Sequence, residues 1–457
     1  MKNSYLVECI NTGLNFLQEK THFLEENSLI IKNIDLIIFF MIALTLFVSL
    51  FVSSSVIGYF ALITFALTLL KLVIKSNQKL ILTKYDFLLV LYFIFSIVST
   101  VNSSLPLASL KGLIKTFTYM AFYFSVIQFF RYNSSKIKYI IALLGIFCIF
   151  ESGVGLIQNY FDIMPLATWQ DTSYLIPGQV LTRVFGTLQP SNPNLLGGYL
   201  IPTYGMLLTL TFLKLEKKQI KQFLIYGICL AISALAIVFT GCRGAYLALF
   251  VMLVCVALIS HKIIFALPEN DGIKKIWNYC AGGLVSIITF YILFTPAVLK
   301  RIISIFLMRG DSSTSFRMNV YGASFHMFLD NPVFGIGIGN TAFREVYGYY
   351  MRSGFDALSA YNIFLEISVE MGLIGLFIFT LYLFLLFNDT RINIFNEQNL
   401  RYRILYSGLL ITLIGIVVHG FFDTVFFRPQ IQLVFWVVVA MLNVILTKNR
   451  KNTADNN

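Results

Sequence analysis

The sequence predicts an all-α polytopic membrane protein with about twelve transmembrane helices and one large extracytoplasmic loop between the ninth and tenth spans. Composition, run length and charge placement each lead there. Hydrophobic residues are 58% of the 457 and charged residues 12%, against about half and about a quarter in a soluble domain. The apolar residues gather in runs of roughly 16–24, long enough to cross a hydrocarbon core about 30 Å thick. Lipid offers the backbone no hydrogen-bond partner, so only helices and closed barrels cross it, and these runs lack the period-2 alternation of barrel strands.

Residues 1–33 mix polar and apolar positions, with acids at Glu8, Glu19, Glu25 and Glu26. They read as a partly helical cytoplasmic extension without a cleavable-signal pattern. Spans are expected near 34–54, 56–74, 86–101, 112–130, 139–158, 194–213, 223–240, 245–260, 277–296, 362–387, 404–419 and 431–447. The first two are joined tightly enough to read as a helical hairpin. The chain then divides into the extension, a membrane domain over 34–447 and a cytoplasmic tail over 448–457.

Charge sets the orientation. Alternate loops carry Lys71, Lys75, Lys79 and Lys84; Arg131, Lys136 and Lys138; Lys214, Lys217, Lys218 and Lys221; Lys262, Lys274 and Lys275; Arg391, Arg401 and Arg403; and Lys448, Arg450 and Lys451. The positive-inside rule puts these loops and both termini in the cytoplasm, as expected for a bacterial cytoplasmic membrane. The two long loops, 159–193 and 297–360, then face outward. Lys111 and Lys115 run against the rule at the outer end of the fourth span, where snorkelling to the interface accounts for them. The net charge of +12 therefore fixes topology and is no nucleic-acid signature. Cys9, Cys148, Cys229, Cys242, Cys255 and Cys280 show no CxxC and no metal-ligand spacing, and read as small core thiols. No metal and no organic cofactor is expected.

The outward loops hold the residues with chemistry. The first ends Thr182-Arg183-Val184-Phe185-Gly186, and then Asn192-Pro193-Asn194 opens the sixth span. A helix N-terminus favours anions, and Arg183 is near enough in sequence to fold back over it. A capped helix with a solvated arginine is the plainer alternative. Arg243, in Thr240-Gly241-Cys242-Arg243-Gly244, is squeezed between two spans; it either snorkels or meets a phosphate. The large loop opens with Lys300, Arg301 and Arg309, then reads Asp311-Ser312-Ser313-Thr314-Ser315-Phe316-Arg317. Capping residues before an apolar-periodic stretch predict an amphipathic helix of about 315–330 with Arg317 in its first turns. Asn331-Pro332-Val333-Phe334-Gly335-Ile336-Gly337-Ile338-Gly339-Asn340 follows; its glycines permit a tight turn, and without a βαβ context it is no dinucleotide fingerprint. After Tyr361-Asn362 the tenth span begins, carrying Glu366 and Glu370 one turn apart. These carboxylates either pair with the outward arginines, the plainer role, or act as a base. His326 reads as a packed core or interface residue. His419 and Asp423 either couple as an oriented base or share a helix-end hydrogen bond. Arg183, Arg243 and Arg317 suit a diphosphate clamp, because the guanidinium fork matches phosphate oxygens.

Four spaced pieces, TRVFGTLQPSNPNLLGGYL, TGCRGAYLALF, FRMNVYGASFHMFLDNPVFGIGIGN and YNIFLEISVEMGLIG, together resemble the O-antigen ligase/polymerase-like family of bacterial membrane proteins over about residues 180–390. Within that family the chain is most similar to the branch named after the cyanobacterial inorganic-carbon-accumulation protein B, assigned to bicarbonate transport. The likeness is carried by ALSAYNIFLEISVE, TRVFGTLQPSNPNLLGGYL and SLPLASLKGLIKTFTYMAFYF. The resemblance implies transfer of a glycan from a polyprenyl diphosphate donor to a glycan or lipid acceptor at the outer leaflet, without metal. It implies that Arg183 and Arg317 hold the diphosphate and stabilise the departing charge. In many such ligases a histidine begins the segment that here reads Tyr361-Asn362, and it acts as the base. Tyr361 stands in its place, and a phenol with a pKa of about 10 is a poor base at neutral pH.

The expected catalytic residues are thus Arg183, Arg317 and Tyr361. Expected substrate contacts are Arg243, Asn192, Asn194, Asn340, Asn362 and Glu366. The enzyme reading competes with transport of a small anion such as bicarbonate, for which Glu151 in the fifth span, with Gly153 and Gly155 close by, is the mid-segment acid. A third reading is an accessory subunit that binds lipid-linked glycan.

Overall fold

Long apolar runs separated by short charged turns fold into a helical bundle. The computed structural model describes residues 5–76, 78–163, 183–265, 312–352, 354 and 356–454, with 274–275, 278–279 and 282–283. The helices are α1 (Tyr5–Asn27), α2 (Leu29–Lys32), α3 (Ile34–Val48), α4 (Ser54–Ile74), α5 (Lys84–Val101), α6 (Pro106–Tyr132), α7 (Ile137–Tyr160) and α8 (Pro193–Glu216). They continue as α9 (Ile220–Phe239), α10 (Arg243–Phe265), α11 (Ser312–Asp330), α12 (Asn340–Tyr350), α13 (Ile363–Asn396), α14 (Leu400–Gly420) and α15 (Pro429–Ala454). No strand occurs among the described residues.

Ten of these helices are long and apolar enough to cross a membrane, and α3 is a shorter apolar helix. The fold is an all-helical, multi-pass membrane protein. Eleven of the twelve expected spans therefore have a helix, counting α3. Most of the expected span 277–296, with Cys280, Lys300, Arg301 and Arg309, lies outside the described residues, as does most of the loop before Arg183.

The bundle is built around α8 and α15, whose apolar windows are 89% and 94% buried, whereas α9 and α10 bury only 22% and 28% and turn apolar surface to the lipid. Small residues let the central backbones close up. A Cβ on Gly205 of α8 would lie 2.1 Å from Thr412 Oγ1 of α14, and one on Gly408 would lie 2.0 Å from Thr209 Oγ1. In lipid, where apolar contact alone does not drive helices together, such close packing supplies much of the association.

The lysine-rich end is tied by ion pairs. Lys71 and Lys75 reach Asp35 at 2.6 and 2.8 Å, Lys84 reaches Asp389 at 2.5 Å, and Arg131 pairs with Asp86. Residues 5–27 form a single helix docked on this end, with Gln18 Nε2 donating to Leu72 O and Gln78 O at 2.8 Å each. The expected extension is therefore helical over most of its length, as α1, packed onto α4, followed after Ser28 by the short α2.

Candidate functional site

At the opposite end of the bundle, α7 fixes the segment that carries Arg183. Gln158 Oε1 accepts from Phe185 N (3.0 Å) and Gly186 N (2.9 Å), and its Nε2 donates to Gly186 O (2.9 Å). Two turns earlier, fully buried Glu151 accepts from Thr187 N at 3.0 Å and from the Thr187 hydroxyl. A buried carboxylate needs such donors. Glu151 is therefore a clamp on this segment. Val184 N also donates to Phe239 O at 3.1 Å, laying the segment against the end of α9.

That clamp aims Arg183 across the α9–α10 turn. Its Nε donates to Thr240 O at 2.8 Å and its Nη2 to Asn194 Oδ1 at 2.5 Å. Asn192 caps α8, its Oδ1 accepting from Asn194 N at 2.8 Å. Asn194 Nδ2 in turn donates to Asp423 Oδ2 at 2.9 Å. The same oxygen accepts from Arg317 Nη2 at 3.1 Å, while Arg317 Nη1 donates to Phe422 O at 2.7 Å. Arg183, Asn194, Asp423 and Arg317 thus form one continuous chain, drawn from residues 240 positions apart. Arg317 lies in the first two turns of α11, which begins at Ser312.

Arg243 opens α10 next to Cys242 and is half-buried at this end. Among the described residues, Arg183, Arg243 and Arg317 lie at this end with Asp423, which leaves this cluster cationic. Burial works to lower the Arg317 guanidinium, and Asp423 together with Cys242, Tyr321 and Tyr361 more than offsets it and holds the group above its usual pKa. Tyr361, in the left-handed region at φ 54, places its ring 5.5 Å from the Arg317 guanidinium carbon. Burial first, then the Asp423 charge, pushes its phenol up. Tyr361 therefore stays neutral and is a surface on which Arg317 rests. Asn362 caps α13, accepting from Phe364 N and Leu365 N at 2.9 and 3.1 Å, and its Nδ2 ties that cap to Phe421 O at 3.2 Å.

Two carboxylate expectations change. Glu366 and Glu370 enter no ion pair with an arginine among the described residues; Asp423 takes that place because the turn after α14 brings it to Arg317 directly and to Arg183 through Asn194. His419 turns from Asp423 to Cys242, with Nε2 3.5 Å from Sγ. His326 is exposed rather than packed.

Glu366, Glu370 and Asn340 instead border a chamber between α5, α6, α13 and α15, enclosing about 840 Å³ of empty space with its open mouth. Near it, α13 is broken at Gly372, where φ is 64 and ψ −166. The glycine-rich segment repairs the break. Ile336 N donates to Val369 O (2.9 Å), Gly337 N to Glu370 O (3.1 Å), and Leu373 N to Pro332 O (2.8 Å). Gly339 N donates to Glu370 Oε1 at 2.8 Å. The segment also presses on α6: a Cβ on Gly112 would lie 2.3 Å from Ile338 O. Broken backbone at membrane depth is tolerated where such partners restore its hydrogen bonds. Lys115 of α6 faces this chamber, which corrects the expectation that it snorkels to the interface. Asn340 starts α12 and donates to Leu358 O at 3.4 Å.

Sequence reasoning set Asp423 beside His419 only. The available signal was that Asp423 is the acid of an otherwise acid-free turn, facing loops that carry isolated arginines.

Residues 228–380 match the model of the O-antigen ligase family. No curated protein matches the chain. The match runs from α9 into α13; it includes Arg243, Arg317, Tyr361 and Glu366 and leaves out Arg183 and Asp423. It supports the O-antigen ligase family and, in general terms, glycosyl transfer or ligation in a membrane.

Proposed function

We propose that this protein transfers or polymerises saccharide from a polyprenyl diphosphate donor to a hydroxyl of a glycan or lipid acceptor at the outer leaflet of the cytoplasmic membrane. The observation that carries the reading is the Arg183–Asn194–Asp423–Arg317 chain, in which two cations far apart in sequence meet through one carboxylate. A diphosphate competes with Asp423 for the Arg317 guanidinium and with Asn194 for that of Arg183, and it is matched by their planar donors.

In this reaction the acceptor oxygen bonds to the anomeric carbon as the bond from that carbon to the phosphate oxygen breaks. The polyprenyl diphosphate leaves with the electron pair, and Arg183 and Arg317, already in place, stabilise its growing charge. Arg243, Asn192, Asn194, Asn340 and Asn362 complete the substrate contacts. The acceptor proton passes to Glu366, since the Tyr361 phenol is kept neutral by burial. Tyr361 keeps Arg317 in place.

One feature favours the bicarbonate transporter reading, and with it the inorganic-carbon branch: α13 is broken beside two buried carboxylates, as in many carriers. Against it, the chamber wall presents Glu366 and Glu370 with Lys115 as its one cation among the described residues, a poor environment for an anion. The mid-segment acid Glu151 is occupied in holding residues 185–187.

The test is transfer by the purified full-length protein, in nanodiscs, from a polyprenyl diphosphate saccharide prepared from the host. Product is expected from the parent and at least a hundredfold less from Arg183→Ala and Arg317→Ala at equal protein abundance. Full activity in both variants, or bicarbonate flux into liposomes without transfer, overturns the reading.

A further inference from the structure

The chamber holds an unmet demand for a ligand. Glu366 is 2% exposed and lines the space; Ser359, the Ala360 backbone and Thr424 stand near its carboxyl group, yet its Oε2 has no hydrogen-bond partner within bonding distance among the described residues. A buried carboxylate oxygen left unpaired is costly, so a donor belongs beside it. Lys115 lines the same space and offers only donors. Arg428 lies within electrostatic reach of Lys115, and Glu370 is engaged by Gly339 N. The remaining wall includes the rings of Tyr92, Tyr119, Phe379 and Trp436.

We propose that this chamber is a saccharide-binding subsite. Only a hydroxyl-rich ligand answers every part of it. Sugar hydroxyls donate to Glu366 and accept from Lys115, and the apolar faces of the ring lie against the aromatic walls. An acyl chain leaves both charged groups unpaired, and a small anion meets two carboxylates. The saccharide is part of either the donor or the acceptor, so the inference rests on the glycosyl-transfer reading.

Of the three tryptophans, Trp436 lines the chamber, so Trp169→Phe together with Trp277→Phe makes its emission the reporter. The full-length protein in nanodiscs is titrated with two probes. One is the oligosaccharide released by mild acid from the lipid-linked saccharides of the host; the other is the host's delipidated surface glycan. A saturable change in Trp436 emission is expected with at least one, and which one identifies the source. Glu366→Gln and, independently, Lys115→Met are each expected to weaken that binding at least tenfold with the unfolding temperature preserved. No response to either probe, or parental affinity in both variants, overturns the subsite. Saccharide binding without any transfer activity sinks the transfer reading alone; transfer without binding here sinks the subsite alone.

Discussion

Asp423 Oδ2 lies 3.1 Å from Arg317 Nη2 and 2.9 Å from Asn194 Nδ2, so one carboxylate oxygen joins α11 to the start of α8. Asp423 is 2% exposed, and removing it leaves a largely buried guanidinium without its counter-charge. Asp423→Ala is expected to lower stability by about 3–5 kcal/mol, the usual result of breaking one side of a buried pair. Asp423→Asn keeps an acceptor for both donors and is expected to lose less. Thermal unfolding in detergent checks both; equal, negligible shifts would show that the pair holds nothing.

Arg317 makes two directed bonds, to Phe422 O and to Asp423. A lysine keeps the charge but not the fork. Arg317→Lys is expected to reduce kcat about 10²–10³-fold, the range for losing a prepositioned donor, with stability nearly kept. Steady-state kinetics and an unfolding scan separate the two effects, and parental kcat in the lysine variant would contradict the fork argument.

The clamp on residues 185–187 predicts an indirect effect. Gln158→Ala frees Phe185 N, Gly186 N and Gly186 O, so Arg183 loses its aim without being altered. Transfer is expected to fall at least tenfold, mostly through a raised KM for the donor. A kcat-only effect would place Arg183's role elsewhere.

At Gly372, φ is 64 and a Cβ would lie 2.3 Å from Val333 O. Gly372→Ala is expected to cost at least about 1–3 kcal/mol from the backbone conformation alone. Reduced yield and a lower unfolding temperature measure it; unchanged values would mean that the glycine-rich segment moves aside freely.

The Tyr361 phenol is raised above its usual value by burial and then by Asp423. Its protonated form is the one the fold prefers, so its contribution is complete below about pH 10, the unfolded phenol value, and is lost as pH climbs beyond it. Tyr361→Phe should therefore leave the shape of the pH–activity profile unchanged between about pH 6 and 9. A basic limb that disappears in the phenylalanine variant would show that Tyr361 titrates in catalysis.

The spans were legible because run length and lysine placement are set by bilayer thickness and topology, which act locally. Arg183, Arg317 and the Asn192 cap were legible for a similar reason: isolated cations and capping residues in loops between spans are unusual by themselves. Asp423 as their bridge was not, because pairing across more than a hundred positions depends on how α14 and α15 pack. Nor was the chamber. Lys115 violates the charge rule in sequence, and only the break at Gly372 and the glycine-rich segment seated in it show the interior space that Lys115 faces.

The gripping of a diphosphate by Arg183 and Arg317 is tested most directly by equilibrium binding of polyprenyl diphosphate and polyprenyl monophosphate to the protein in nanodiscs. The parent is expected to hold the diphosphate at least tenfold more tightly, and the combined Arg183→Ala, Arg317→Ala variant is expected to lose that preference. Equal affinity of the parent for the two lipids, or an intact preference in the variant, would contradict it.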